Sequence, residues 1–221
     1  MSSQKINDPA WHFDNCAVIV AHPDDETLWC GGTILMHPGS KWTIVTLSRA
    51  CDSDRCPRFF EALELLNARG QMADLDDGPQ QTPLAELLVE NTVLSLLPRE
   101  KFDLIITHGL SGEYTSHLRH NETARAVLSL WKTGRLSSGQ LWTFAYQDSG
   151  GSYLPKPLSN ADIIVPLPQS IWEKKYEIIT RVYGFGADSF EAKTTPRQEA
   201  FQRFVSDKNP VNPFKEQEQG K

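Results

Sequence analysis

Short apolar runs alternate along the chain with longer stretches in which apolar residues recur at helical spacing. The short runs predict strands and the longer stretches predict helices. Strands are predicted over residues 16–21, 42–47, 103–107, 141–146 and 162–165, and helices over residues 26–36, 59–68, 84–97, 122–131 and 171–183. Strands that alternate with helices through short links are typical of a parallel sheet with helices on both faces. The pattern therefore predicts an α/β fold.

Ligands of open α/β sheets bind outside the carboxyl ends of the strands, so functional residues are expected just after predicted strands. Two groups of polar residues meet this condition. The run His22-Pro23-Asp24-Asp25-Glu26 directly follows the first strand, and the pair His117 and His120 follows the strand over residues 103–107. If these two strands are neighbours in the sheet, the two groups share one pocket.

The spacing of His22 and Asp25 predicts a metal site. Positions three apart come to the same side of a forming helical turn, so one imidazole and one carboxylate can bind one cation there. His120 would supply a third ligand from the other loop. Two histidines and one carboxylate leave an open coordination position for water, as a catalytic zinc site requires. Zinc is preferred for this ligand set, although ferrous iron (Fe2+) binds similar ligands.

Two further residues of these groups can carry out chemistry at the metal. Asp24 lies between the two ligands, can remain unligated and is the candidate general base. If His117 does not bind the metal, it can lie across the pocket as a cation and stabilise the oxyanion of a tetrahedral intermediate. These roles describe hydrolysis of an amide, in which Asp24 passes the proton of water to the departing amine.

A structural interpretation of the same residues is simpler. The His-Pro-Asp sequence could be a loop that caps a helix, with Asp24 or Asp25 as the N-cap, and a His-x-x-His pair alone is weak evidence. The position of the run after a buried strand and its distant histidine partner favour the metal site. Burial of two carboxylates without a cation would be costly.

Composition narrows the class of protein. The chain has 221 residues, of which 39% are hydrophobic, and suits a single domain over residues 1–221, with a core over about 15–204 and a polar tail over about 206–221. Its formal charge of −6 argues against nucleic acid and anionic membranes as partners. Residues 1–10 lack an apolar signal core and no apolar run is long enough to span a bilayer, so we expect a cytoplasmic protein with reduced cysteines.

The run from Ala21 to Glu26, together with His117-Leu118-Arg119-His120, resembles the signature of the PIG-L/LmbE family of zinc-dependent de-N-acetylases. The resemblance implies a Rossmann-like, three-layer αβα sandwich and hydrolysis of an N-acetyl group, usually on a molecule that contains N-acetylglucosamine. It makes His22, Asp25 and His120 the metal ligands, Asp24 the general base and His117 the histidine on the oxyanion side.

Substrate contacts are transferred from the family with two departures. The family often has an Arg three positions before a Glu at the start of the helix after the second strand. Arg55 falls at that Arg and is the candidate substrate-binding residue, but Arg58 stands where Glu is usual. An alternative is that Asp52 and Asp54 pair with these arginines.

Many members have Pro-Asp between the two histidines, where this chain has Leu118-Arg119. An aspartate there could orient a neighbouring histidine, and we expect Glu113 to replace it. Tyr114 is near enough in sequence to contact the oxyanion and is the second candidate substrate-binding residue, with an aromatic wall as the structural alternative.

The sequence leaves the substrate and the oligomeric state open, a homo-oligomer included. The preferred partner is a small N-acetylated molecule, in particular an amino sugar. Two alternatives remain, namely a metal amidohydrolase that acts on a non-sugar amide and a non-catalytic binding module on the same fold.

Overall fold

The computed structural model of the protein describes residues 11–114 and 117–205, and the predicted tail lies outside them. The strands are β1 (Asn15–Val20), β2 (Lys41–Thr46), β3 (Ala68–Met72), β4 (Phe102–Thr107), β5 (Ser138–Phe144), β6 (Tyr146–Gln147), β7 (Lys156–Pro157), β8 (Ile163–Pro166) and β9 (Gln198–Val205). The helices are α1 (Asp25–Met36), α2 (Arg55–Leu65), α3 (Glu86–Leu96), α4 (Leu118–Lys132), α5 (Gln169–Glu177), which a π-helical turn (Ile178–Val182) continues, and α6 (Phe190–Thr194).

The described residues form a seven-stranded sheet in the order β3-β2-β1-β4-β5-β9-β8. The first five strands of this order, β3, β2, β1, β4 and β5, run parallel to one another. Only β9 runs antiparallel to both of its neighbours, β5 and β8. The prediction of a Rossmann-like fold with a mostly parallel sheet is confirmed.

Side chains alternate across the central strand and build a core on each face of the sheet. Cys16, Val18 and Val20 of β1 pack with residues of α1 and α2. Ala17 and Ile19 of the same strand pack with residues of α3 and α4 on the other face. Because both faces of the sheet are covered, the sequence of β1 is a continuous run of apolar residues and does not alternate between apolar and polar residues.

The structure corrects several predicted elements. The helix predicted over residues 59–68 ends at Leu65, and Ala68 already belongs to β3. Asn67 adopts a positive φ of 51°, a conformation that ends helices. The helix predicted over residues 171–183 is divided at Ile178 by the π-helical turn. The strand predicted over residues 141–146 begins earlier, at Ser138, and is interrupted after Phe144. The parallel strand β3 and the antiparallel strand β9 were not predicted.

No helix within residues 11–114 and 117–205 has the length and apolar character that a membrane span requires. The four cysteines form no disulfide. Cys16 and Cys30 are buried in the core, as expected for small apolar side chains.

A buried ion pair joins the C-terminal part of the chain to α1. The Nζ of Lys175 donates to Glu199 Oε1 at 2.6 Å, and neither side chain is exposed. The same carboxylate accepts the backbone N–H of Gly32 at 2.7 Å and that of Thr33 at 2.6 Å. A Cβ on Gly32 would lie 2.4 Å from Leu167, so the glycine lets this segment approach the helix.

We expect Glu199→Gln to destabilise the fold by about 3–5 kcal/mol, because it leaves the Lys175 ammonium buried without a counter-ion. Urea unfolding followed by circular dichroism measures the effect. Glu177→Gln is the matched control, since Glu177 pairs with Arg181 on an exposed surface of the same region. It should change the free energy of unfolding by less than about 1 kcal/mol. Equal effects of the two substitutions would contradict the prediction.

Candidate metal centre and active site

The two predicted groups of polar residues meet at the point where the strand order reverses. From β1 the chain proceeds to β2 and β3 on one side, whereas β4 lies on the other side. His22 follows β1, and His120 lies in the first turn of α4, after β4. Ligands of doubly wound sheets bind at this switch point, outside the carboxyl ends of the strands.

Three potential ligand atoms converge here at nearly equal distances. His22 Nδ1 lies 3.2 Å from Asp25 Oδ2 and 3.2 Å from His120 Nε2. The third distance, from His120 Nε2 to Asp25 Oδ2, is 3.4 Å. A tetrahedral ion with bonds of about 2.05 Å places its ligand atoms about 3.3 Å apart. The donor types and their spacing therefore fit zinc or a similar divalent cation.

Each of the two histidines has a carboxylate behind its other ring nitrogen. His22 Nε2 lies 3.3 Å from Asp77 Oδ1, within ion-pair distance but outside hydrogen-bond geometry. His120 Nδ1 lies 2.7 Å from Glu113 Oε2, so the expected contact between Glu113 and a neighbouring histidine is confirmed. Such carboxylates fix the tautomer and ring orientation of metal-binding histidines, and they leave the opposite nitrogens free to face the cation.

A third histidine, His108, lies against the cluster without a free nitrogen for a metal. Its ring stacks on His120 with centroids 3.9 Å apart. The backbone N–H of Ala21 donates to His108 Nε2 at 3.0 Å, and His108 Nδ1 lies 3.2 Å from Glu113. Both ring nitrogens are occupied, as expected for a structural histidine.

Asp24 is held in an unusual backbone conformation at the start of α1, with φ 108°. Its N–H donates to Glu26 Oε2 at 3.0 Å, and Glu26 Oε1 accepts the hydroxyl of Tyr183 at 2.6 Å. Glu26 is fully buried and therefore does more than favour the helix dipole. It fixes the turn that points Asp24 into the pocket. Burial, with the charges of Asp25 and Glu26, raises the pKa of Asp24 well above its usual value.

Arg55 reaches the pocket from the first turn of α2. Its Nη1 donates to Asp24 Oδ2 at 3.3 Å, and its guanidinium lies 4.5 Å from the centre of the Phe185 ring. The alternative partners behave differently. Asp54 pairs with Arg58 at 2.9 Å, whereas Asp52 accepts the backbone N–H of Arg55.

His117 and Tyr114 line the same pocket as Asp24. The His117 ring lies 4.7 Å from that of His22 and 4.5 Å from that of His120. Burial, with the charges of these two histidines, lowers the pKa of His117 to about 4, which favours a neutral ring over the expected cation. Its Nδ1 is buried without a hydrogen-bond partner. Burial, with the nearby carboxylates, raises the pKa of the Tyr114 hydroxyl and keeps it protonated.

These side chains surround a pocket of about 220 Å³. All the predicted site residues except His120 line this pocket, and His120 is buried. The full lining consists of His22, Pro23, Asp24, Asp25, Arg49, Arg55, Asp77, Tyr114, His117 and Glu191.

Sequence reasoning missed Arg49, Asp77 and Glu191. The sequence Asp76-Asp77-Gly78 is typical of a turn and does not single out Asp77 as a site residue. Arg49 lies three positions after the end of β2 and binds Asp77, with Nη2 2.7 Å from Oδ2. Position after a strand was the signal that could have found it. Glu191 lies in the short helix α6, which no pattern indicated.

The fold and site define an α/β protein with a candidate metal centre at the carboxyl edge of its sheet. The sequence profile of the PIG-L family, described as GlcNAc-PI de-N-acetylase, matches residues 17–131, more than half of the chain. The chain belongs to this family. The match includes every predicted site residue and ends within α4, so α6 and β9 lie beyond it.

One curated relative, the uncharacterized protein L374 of Acanthamoeba polyphaga mimivirus, is 21% identical over 148 residues. The match covers 60% of this chain and 62% of that protein, so the chain spans less than two thirds of the relative.

Several solved structures share the fold. The N,N'-diacetylchitobiose deacetylase from Pyrococcus horikoshii has a TM-score of 0.66 and 15% identity, covering 87% of this chain and 84% of that one. The 4-carboxy-2-hydroxymuconate hydratase GalB from Pseudomonas putida has a TM-score of 0.62 and 15% identity, with coverage of 87% and 97%. The zinc inhibited form of teicoplanin deacetylase Orf2 has a TM-score of 0.62 and 14% identity, with coverage of 87% and 99%.

The carboxylate behind His22 yields a test that does not depend on activity. We expect Asp77→Asn to weaken zinc binding by about 10- to 100-fold, because a neutral amide orients the imidazole less strongly and makes it a weaker ligand. Competition with a chromophoric chelator measures the affinity. Asp76→Asn is the control, because the neighbouring Asp76 side chain is 62% exposed and contacts Arg119 instead. Unchanged affinity in Asp77→Asn would contradict the inferred role.

Proposed function

We propose that this protein is a metal-dependent N-deacetylase that binds a divalent cation, preferentially zinc, through His22, Asp25 and His120. The observation that carries the proposal is the convergence of their three donor atoms, 3.2–3.4 Å from one another. Carboxylates oriented behind both histidines support it. His117 is the alternative third ligand, since its ring also lies within reach of His22 and His120.

When bound, the divalent cation supplies the Lewis acidity that acidifies water and polarises the amide carbonyl. Asp24 then serves as the general base. Arg55 contacts its Oδ2, which fixes the carboxylate and leaves Oδ1 to take the proton of the attacking water. The raised pKa of Asp24 suits the later step, in which the carboxyl group delivers this proton to the departing amine.

His117 lines the same pocket as Asp24 and can donate an N–H to the oxyanion that develops on the carbonyl. A neutral imidazole retains one donor nitrogen, so this role does not require a cation. The protonated hydroxyl of Tyr114 faces the same pocket and is the second candidate donor, and Arg55 is the candidate contact to the substrate beyond the acetyl group.

The proposed substrate is a small N-acetylated amino sugar or its conjugate. Two observations support this class of substrate. The chain belongs to the PIG-L family, which is described as GlcNAc-PI de-N-acetylase, and its fold is similar to that of a diacetylchitobiose deacetylase. The polar pocket, lined by carboxylates and arginines, offers partners for sugar hydroxyls. A hydratase has the same fold, so fold alone does not select the reaction.

Acetate release tests the reaction and the substrate class together. We expect zinc-loaded protein to release acetate from N-acetylglucosamine conjugates and to lose this activity on chelation. N-acetylated amino acids and amino-acid amides form the comparison panel. If the protein preferred the compounds of that panel, the proposed substrate class would change from an amino sugar to a non-sugar amide. If it hydrolysed none of the compounds, the proposed deacetylase activity would be rejected.

We expect Asp24→Asn to lower kcat by about 10²–10⁴-fold, since it removes the proposed base, and to leave the zinc content unchanged. Metal analysis and acetate release are measured on the same sample. Asp14→Asn is the matched control, because Asp14 precedes β1 at the opposite end of that strand. Loss of zinc in Asp24→Asn would show that base and ligand are wrongly assigned.

A further inference from the structure

A second cavity of about 450 Å³ lies beside the candidate active site. It is enclosed by the loop over residues 109–114, the end of β5 with the turn after it, Leu158, and two residues of β9. It lies at the carboxyl ends of β4 and β5, on the same edge of the sheet as the candidate active site, which follows β1 and β4. Cavities of this size accommodate a sizeable part of a small organic molecule.

The two cavities share one wall. Tyr114 lines both of them. Glu113, which binds His120 on one side, belongs to the lining of the second cavity on the other. The two cavities are therefore adjacent, with Tyr114 at their common border.

Charge restricts what the second cavity can bind. Among the described residues that line it, none is Lys or Arg, whereas Glu113 and Asp148 are acidic. A phosphate or carboxylate group placed here would find no basic side chain among these lining residues to balance its charge.

The remaining lining is largely apolar. Phe144, Phe204, Leu158 and the Tyr114 ring provide aromatic and aliphatic surfaces, and the amide of Gln202 adds a polar contact. Apolar walls with few polar groups are typical of sites for uncharged organic groups. The candidate active site differs, because its lining is dominated by carboxylates, histidines and arginines.

We propose that the second cavity is a subsite for an uncharged aromatic or largely apolar group that the substrate carries beyond its N-acetylated unit. The inference rests on the proposed function for the position of the acetyl group. The subsite binds a part of the substrate that does not react, so its contacts are equal in the ground state and in the transition state. Such uniform binding lowers KM and leaves kcat unchanged.

The test uses N-acetylglucosamine and a set of derivatives that carry a phenyl group on each hydroxyl position in turn. We expect at least one derivative to have a KM about tenfold lower than the parent sugar, with kcat within twofold. The carboxyphenyl analogue of that derivative should lose the gain, because its charge would lose water against largely apolar walls that offer no basic side chain among the described residues.

Leu158→Trp should fill the cavity and abolish the tenfold preference, while turnover of the parent sugar is unchanged. Leu88→Trp is the matched control, because Leu88 is 48% exposed on α3. If Leu158→Trp does not fold, the comparison of phenyl and carboxyphenyl compounds on the natural chain still tests whether an uncharged apolar group is preferred. Equal KM values for the two compounds would contradict the subsite.

Binding to Asp24→Asn protein, measured by calorimetry, separates the two proposals. Acetate release with equal KM values for the parent and all phenyl derivatives would overturn the subsite and keep the deacetylase. No acetate release from any compound, with tighter binding of a phenyl derivative that Leu158→Trp removes, would overturn the deacetylase and keep the subsite.

Discussion

The rest of the site depends on the position of one buried carboxylate oxygen, Oδ2 of Asp25. It accepts the backbone N–H of His22 at 3.0 Å and lies within 3.5 Å of nitrogens from His22, His108 and His120. Burial opposes its charge, but His120 and His108 hold the pKa of Asp25 well below its usual value. The bond to the His22 N–H closes the turn between β1 and α1, and within this turn Asp24 adopts its positive φ. A conformation of this kind costs about 1–3 kcal/mol and persists because Glu26 also binds the Asp24 N–H.

The sequence predicted those parts of the molecule that depend on local pattern. Apolar runs predict β1, β2 and β4, and the rule that ligands bind after strands predicts that His22 and His120 share one pocket. The misses have a common cause. β9 joins the sheet through antiparallel pairing with two strands distant in sequence, and its eight residues are only half buried. Asp77 gains its place at the site through contacts with His22 and Arg49, which a turn sequence cannot reveal.

Three histidines surround His120 or face it, and hydrogen bonding distinguishes their roles better than proximity does. His108 is in closest ring contact with His120, yet a backbone N–H occupies its Nε2. His22 has a carboxylate 3.3 Å from Nε2, outside hydrogen-bond geometry, and the other two candidate ligand atoms beside Nδ1. His117 has a buried Nδ1 without a partner. A sequence shows that histidines are present. Whether each one is a structural residue, a metal ligand or a hydrogen-bond donor depends on what contacts its second ring nitrogen, and only the folded structure shows those contacts.

The charges of the pocket lead to the same conclusion as its distances. Its lining contains the carboxylates of Asp24, Asp25, Asp77 and Glu191 and the guanidiniums of Arg49 and Arg55. With all four carboxylates ionised, as a bound cation favours, the formal charges leave two negative charges in excess, which one divalent cation balances. An empty pocket would repel anions and favour cations, whereas a loaded pocket has no formal excess and suits an uncharged amide. The second cavity, which lacks basic side chains among its described lining residues, extends the same preference. Electrostatics thus favours a neutral substrate along its whole length, independently of which sugar or amide it contains.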